Sequence, residues 1–313
     1  MTKVVFMGTP QFSVPILTML HEEGYEILAV VTQPDRPVGR KKVLTPPPVK
    51  EEALRLGLPV IQPEKLRNSE ELKEIIALQP DIIVTAAFGQ ILPKELLDSP
   101  PLGCINVHAS LLPKYRGGAP IHQAIVDGQT KTGITIMYMA EKLDAGDIIS
   151  QREIAIEESD HTGGMFEKLS IVGRDLLKET LPTIVAGTNE RILQNEEEAT
   201  FAHNISREQE RINWSNNART IYNQVRGLHP WPVAYTTLNG ENVKIWWAQV
   251  GTTKSNKEPG TVVKIDKDQF EISTGDGQTL AILDLQPAGK KRMTAEEYLR
   301  GTGSKLQIGD KFE

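Results

Sequence analysis

The chain has 313 residues, 39% of them hydrophobic and 24% charged, enough for two self-sufficient cores and ordinary for a globular protein. No apolar run is long enough to cross a bilayer, and the first ten residues read as a buried strand rather than a signal peptide, so a cytoplasmic protein with no membrane partner is expected. A lone cysteine, Cys104, excludes an internal disulfide, and six scattered histidines without ligand spacing argue against a metal cofactor.

The net charge of −6 argues against a nucleic-acid partner, but the average hides an asymmetry. From residue 206 onward there are 15 Lys and Arg against 13 Asp and Glu, a net of +2, which leaves −8 for the first 205 residues. Two basic triplets stand out, Arg40-Lys41-Lys42 and Lys290-Lys291-Arg292. On charge alone, solvated surface and phosphate binding are equally open readings.

In chain order, residues 4–7 predict a first buried strand, and Ser13-Val14-Pro15 supplies an N-cap and early proline for a helix to about residue 23. Further strands are expected at 27–32, 82–86, 103–108 and 133–139, with helices at 70–78 and 120–126 between them. Repeated strand-helix-strand units predict an α/β, Rossmann-like domain with a mainly parallel sheet covered on both faces. Ligands of such sheets sit beyond the carboxyl ends of the strands. Residues 33–48 form a long, Pro-rich, basic insertion that reads as a structureless lid loop. A long helix at 162–185 closes the first part, and 187–204, with Glu196-Glu197-Glu198, reads as a linker. The expected domains are therefore 1–204 and 205–313. After a helical stretch at 208–226 the second domain turns to short strands punctuated by Asn239-Gly240 and Gly275-Asp276-Gly277, which predicts a small β-barrel.

The densest chemistry lies at residues 103–113. Alternation along a strand puts Asn106 and His108 on one face at its carboxyl end, and Asp144, in the glycine-containing loop 143–148, is placed to reach the histidine. An amide donor, an imidazole and a carboxylate suit acyl or formyl transfer to an amine, which needs an oxyanion donor and two proton transfers. The residues alone equally allow Asn106 to bond a neighbouring loop and His108 to be a satisfied buried histidine. Cys104 shares their face, but a buried strand cysteine usually acts as a small hydrophobe.

The chain resembles the methionyl-tRNA formyltransferase family at Gly8-Thr9-Pro10, at Gln33 through Arg40, at Phe88-Gly89-Gln90-Ile91-Leu92-Pro93, and at Asn106-Val107-His108-Ala109-Ser110-Leu111-Leu112-Pro113. It continues through Tyr115-Arg116-Gly117-Gly118-Ala119-Pro120, Leu143-Asp144-Ala145-Gly146-Asp147, Ile212-Asn213-Trp214, Leu228-His229-Pro230-Trp231-Pro232 and Gln286 through Lys291. The resemblance implies a Rossmann-like formyltransferase domain followed by an OB-fold-type β-barrel that holds tRNA. It also implies transfer of the formyl group of 10-formyltetrahydrofolate to methionyl initiator tRNA without a metal, and no obligate protein partner is apparent.

Catalytic roles fall by resemblance on Asn106 as oxyanion donor, His108 as imidazolium or proton shuttle, and Asp144 as the carboxylate that orients it. The folate is expected against Phe88, Gly89, Gln90, Ile91 and Leu92, and against Ser110, Leu111, Leu112 and Pro113. Expected tRNA contacts are Arg40, Lys41 and Lys42, the first matching a family arginine, and Arg207, Arg211, Lys290, Lys291 and Arg292. In relatives a glycine can separate the arginine from the lysine pair; here the three run together. Related formyltransferases of sugar nucleotides and of glycinamide ribonucleotide share the catalytic trio, and the basic loop favours tRNA over them.

Overall fold

The computed structural model describes residues 1–313, which divide into two compact units. One comprises residues 1–117, 132–154 and 166–202; the other comprises 118–131, 155–165 and 203–313.

The first part of the chain alternates strands and helices as the apolar runs dictate. In order come β1 (Lys3–Gly8), α1 (Val14–Glu22), β2 (Glu26–Val31), β3 (Arg36–Val38), β4 (Val43–Thr45), α2 (Pro48–Arg55), β5 (Val60–Ile61), α3 (Glu70–Ala77) and β6 (Ile82–Ala86). There follow α4 (Lys94–Leu97), β7 (Cys104–His108), α5 (Pro120–Val126), β8 (Lys131–Tyr138), β9 (Ile148–Ala155) and α6 (Thr162–Val185). Seven strands form one sheet in the order β5-β2-β1-β6-β7-β8-β9. Pairing is parallel from β5 to β7, whereas β8 runs antiparallel to β7. Val4 to Met7 of β1 and all five residues of β6 are buried, the pattern of strands covered on both faces. In α1, Pro15 sits in the first turn, where its missing N–H costs no hydrogen bond, and Ile16, Leu17, Met19 and Leu20 form the buried stripe. The Ser69 hydroxyl accepts the Leu72 N–H to cap α3, a contact typically worth about 1 kcal/mol.

Three expectations need correction. The insertion at 33–48 is not structureless, because β3 and β4 pair as a hairpin whose tip carries Arg40, Lys41 and Lys42. Gly39 and Lys42 both have positive φ there, and the Lys42 N–H closes the turn on the Gly39 carbonyl. The helical stretch at 208–226 is two helices, α7 (Arg207–Glu210) and α8 (Ala218–Gly227), each with its own cap at Ser206 and Asn217. Finally, residues 187–204 are not a free linker, since 194–202 bond extensively within the first unit.

In the second unit, β10 (Ala234–Leu238), β11 (Glu241–Val250), β12 (Val262–Ile265), β13 (Phe270–Ser273), β14 (Thr279–Pro287) and β15 (Met293–Thr294) form an antiparallel sheet, followed by α9 (Ala295–Arg300). Asn239-Gly240, both at positive φ, makes the tight turn between β10 and β11. The order is β10-β11-β14-β13-β12, which leaves β10 and β12 as edges. Residues 309–313 bond to both: Phe312 N–H to Gly260 and Gly309 N–H to Val262 on one side, and Glu313 with Thr237 in both directions on the other. The last five residues thereby hydrogen-bond to both edge strands. Its core holds Trp214, Ile245, Phe270, Ile272, Leu285 and Phe312.

Candidate active site

Asn106 and His108 lie at the carboxyl end of β7, two residues apart and hence on the same face. Parallel register sets Thr85 of β6 opposite Asn106. The buried Thr85 hydroxyl lies 2.8 Å from Asn106 Oδ1 and 3.1 Å from the Ile105 carbonyl; donation along the shorter contact engages the amide oxygen and leaves the Nδ2 donors for a ligand.

His108 is only 5% exposed. Its Nε2 lies 2.9 Å from the Tyr115 carbonyl oxygen, and because a carbonyl can only accept, this nitrogen must carry a proton. In the neutral ring Nδ1 is therefore the acceptor nitrogen. It faces Asp144 Oδ2 at 3.7 Å, within ion-pair range but beyond a direct hydrogen bond. The same Asp144 oxygen accepts the Gly117 N–H at 2.8 Å. Tyr115 and Asp144 both adopt left-handed backbone, φ +59° and +48°, which costs a non-glycine residue about 1 to 3 kcal/mol each. The cost is borne where one carbonyl and one carboxylate are aimed at the same imidazole. Gly117 has φ +118°, and a Cβ there would stand 2.7 Å from the Ala202 carbonyl oxygen, so glycine is required.

Around this trio, the segment 88–92 runs outside any strand or helix, and the backbone N–H groups of Gly89, Gln90, Ile91 and Leu92 have no acceptor in the chain. Its side chains diverge. Phe88 and Leu92 are buried in the core, the Gln90 amide bridges the Leu66 N–H and the Pro63 carbonyl, and Ile91 is 79% exposed. In the second expected stretch, Ser110 Oγ donates to the Lys114 carbonyl, and both backbone polar groups of Leu112 are taken by Thr135 and Gln151. The Leu112 side chain packs on Met137 and Ile148, whereas Leu111 and Pro113 are half-buried. Cys104 donates weakly to the Leu96 carbonyl, and burial pushes its thiol up to about 12, so it is no nucleophile near neutral pH.

The basic residues fall into two groups. Arg40, Lys41 and Lys42 are exposed at the hairpin tip with no carboxylate partner, and Lys290 and Lys291 are likewise exposed. Arg207 is occupied, paired with Glu210 and stacked 3.9 Å over the Tyr235 ring, and Arg292 pairs with Asp284 and lies over Trp246. Arg211 is exposed beside an open cavity of about 500 Å³ lined by Asn213, Trp214 and Phe312.

Sequence reasoning gave no role to Thr85 or Arg116 and read Gln194 and Glu196 as linker. Arg116 is fully buried; its Nε and Nη2 donate to Gln194 Oε1 at 3.0 and 2.9 Å, and Nη1 and Nη2 to Glu196 at 3.1 and 3.0 Å. The Arg116 fork, together with Lys142, holds the Glu196 carboxyl down to about 2. The Tyr115-Arg116-Gly117-Gly118 run was the one sequence signal available.

Residues 2–181 match the family model described as "Formyl transferase", and residues 204–303 match "Formyl transferase, C-terminal domain". The chain is 74% identical over 313 residues to the methionyl-tRNA formyltransferase of Lysinibacillus sphaericus (strain C3-41), covering 100% of both chains. It is 61% identical over 310 residues to that of Bacillus subtilis (strain 168), covering 99% of this chain and 97% of the relative. Among solved structures, it is similar to an N-formyltransferase from Helicobacter canadensis in complex with folinic acid and dTDP-3-aminofucose, with TM-score 0.69, 22% identity and coverage of 92% and 100%. It is also similar to WlaRD, a sugar 3N-formyl transferase, with TM-score 0.69, 20% identity and coverage of 93% and 99%; at these identities the likeness is one of fold.

Proposed function

The chain belongs to the methionyl-tRNA formyltransferase family, and from that premise we propose that it moves the formyl group of 10-formyltetrahydrofolate onto the free amine of methionyl initiator tRNA. The observation that carries the reading is the convergence of Asn106, His108 and Asp144 in a chain that aligns end to end with enzymes of that name.

Formyl transfer to an amine needs no covalent enzyme intermediate. When bound, the reduced folate supplies the activated formyl carbon. Asn106 Nδ2, freed for the task by the Thr85 bond to Oδ1, donates to the formyl oxygen as negative charge builds on it. His108 Nδ1 takes the proton that the attacking amine must lose and returns it to the departing nitrogen. The Tyr115 carbonyl holds the ring by Nε2, and the Asp144 carboxylate stabilises the imidazolium. The unpaired N–H groups of Gly89 to Leu92 are suited to acceptors on the edge of the pterin ring, and half-buried Leu111 and Pro113 to its apolar face. The internally bonded Leu112 backbone contributes shape rather than hydrogen bonds.

On this reading residues 1–204 carry the chemistry in a Rossmann-like domain. Residues 205–313 form an OB-type barrel that holds tRNA, in keeping with a sheet whose edge strands both hydrogen-bond to residues 309–313. Exposed Lys290 and Lys291 and the Arg40-Lys41-Lys42 tip are the phosphate-binding groups favoured by their lack of partners; Arg207 and Arg292 first serve the domain's own packing. The test offers labelled 10-formyltetrahydrofolate to the protein with methionyl initiator tRNA, methionyl elongator tRNA, an amino sugar nucleotide, or water. Label is expected on the initiator tRNA first, and preferential labelling of the sugar nucleotide would reject the reading.

A further inference from the structure

Arg116 lies between the two backbone groups that face the catalytic pair. Its predecessor Tyr115 offers the carbonyl that binds His108 Nε2, and its successor Gly117 offers the N–H that binds Asp144. Every polar group Arg116 possesses is engaged by residues 194–202. Its N–H donates to the Thr200 carbonyl at 2.9 Å, its carbonyl accepts the Ala202 N–H at 2.7 Å, and its guanidinium is shared between Gln194 and Glu196. Tyr115 is held by the same segment, its N–H donating to Thr200 Oγ1 at 2.9 Å.

Gln194 then reaches the other catalytic loop. Its orientation is set by chemistry: Arg116 can only donate, so Oε1 faces it, and Nε2 donates to the carbonyls of Asp144 and Gly146, both at 2.8 Å. Asp144 is in a strained left-handed conformation, and Gly146 passes so close to the Tyr138 carbonyl that a Cβ would stand 1.8 Å from its oxygen. Without an outside donor, nothing in loop 142–147 answers those two carbonyls. We propose that Arg116 and Gln194 are positioning residues for formyl transfer, and that segment 194–202 is a strap that locks the Tyr115 carbonyl and the Asp144 carboxylate at a fixed spacing around His108.

The proposal rests on the formyltransferase reading for its kinetic readout, but its structural readout needs no substrate. Gln194→Glu is the discriminating variant, because a glutamate still accepts from Arg116 while losing both donors to loop 142–147. Arg116→Lys is the second, replacing a fork by a single ammonium. In the full-length protein, both variants should melt within a few degrees of wild type. Each should lower kcat about tenfold or more, with KM for folate and tRNA within about twofold. Nitrogen-15 spectra of His108, recorded without substrate, should show the Nε2–H form in wild type and a mixture of tautomers in Gln194→Glu. Wild-type kcat in both folded variants, a rate loss matched by rising KM, or an unchanged His108 tautomer would each overturn the strap. If the wild-type protein formylates no tRNA, the functional reading fails instead, and the spectra still decide the strap.

Discussion

His108 is held from two sides: Nε2 lies 2.9 Å from the carbonyl of Tyr115, while Nδ1 faces Asp144 across 3.7 Å. One nitrogen is thereby committed as a donor, and the other faces the carboxylate. Replacing His108 or Asp144 by alanine should slow single-turnover transfer by roughly a hundredfold or more, with circular dichroism unchanged. Near wild-type rates in both folded variants would remove the proton-transfer role.

Thr85 gives a finer test of how the oxyanion donor is oriented. Thr85→Val keeps the shape of a buried side chain and deletes the hydroxyl that fixes Asn106 Oδ1. The rate should fall about tenfold, less than for Asn106→Ala, since the amide remains but can turn. Equal rate reductions in the two variants would mean that Thr85 does more than orient the amide, and an unchanged rate would mean that the amide is held by other means.

Cys104 shares the strand face with Asn106 and His108 yet is buried, with its thiol pushed up to about 12. Cys104→Ala should retain most activity, and thiol reagents at pH 7.5 should leave the folded protein unlabelled. A trapped formyl-cysteine adduct would contradict direct amine attack.

The placement of Asn106, His108 and Asp144 in the candidate site was legible because strand periodicity is local information. Asn106 and His108 differ by two positions and so share a face, and the glycine in loop 143–148 marked a turn that brings Asp144 to them. Pairing between distant segments was not legible. Thr85 matters only through its register with Asn106, and the run at Glu196 looked like solvated linker because its partner, Arg116, lies 80 residues away. Apolar residues in a motif also do not declare their side: Phe88, Leu92 and Leu112 turned to the core and Ile91 to solvent. The same limit hid the β3–β4 hairpin, whose strands of three exposed residues carry no apolar alternation.

Glu271 supplies a pH prediction. It is fully buried in the second sheet; burial alone would raise its carboxyl, but hydrogen bonds from Thr279 and Thr253 and the charge of Lys264 outweigh this and hold it below the ordinary range. A depressed carboxyl contributes stability that is fully present above its unfolded value, near 4.5, and lost as pH falls through the folded value. The melting temperature of wild type should therefore drop more steeply than that of Glu271→Gln as pH is lowered from 6 towards 3. Parallel curves would show that Glu271 is not linked to acid unfolding.

The two exposed basic groups allow tRNA affinity and tRNA discrimination to be tested separately. Neutralising Lys290 and Lys291 should weaken tRNA binding and flatten its salt dependence by up to about 0.9 logarithmic unit for each phosphate that is no longer neutralised. Neutralising Arg40, Lys41 and Lys42 at the hairpin tip should instead also blur the preference for initiator over elongator tRNA. Filter binding across a salt series, with single-turnover formylation of both tRNAs, distinguishes the two.

The central claim is direct formyl transfer to a tRNA-borne amine by Asn106, His108 and Asp144. Its most direct test is single-turnover reaction of excess enzyme with formyl-labelled 10-formyltetrahydrofolate and methionyl initiator tRNA, quenched and deacylated to identify the labelled amino acid. The account predicts formylmethionine appearing in one phase, without any protein-bound label, and slowed by roughly a hundredfold in His108→Ala. Label accumulating on the protein before it reaches methionine, or formylmethionine forming at the wild-type rate in His108→Ala, would contradict it.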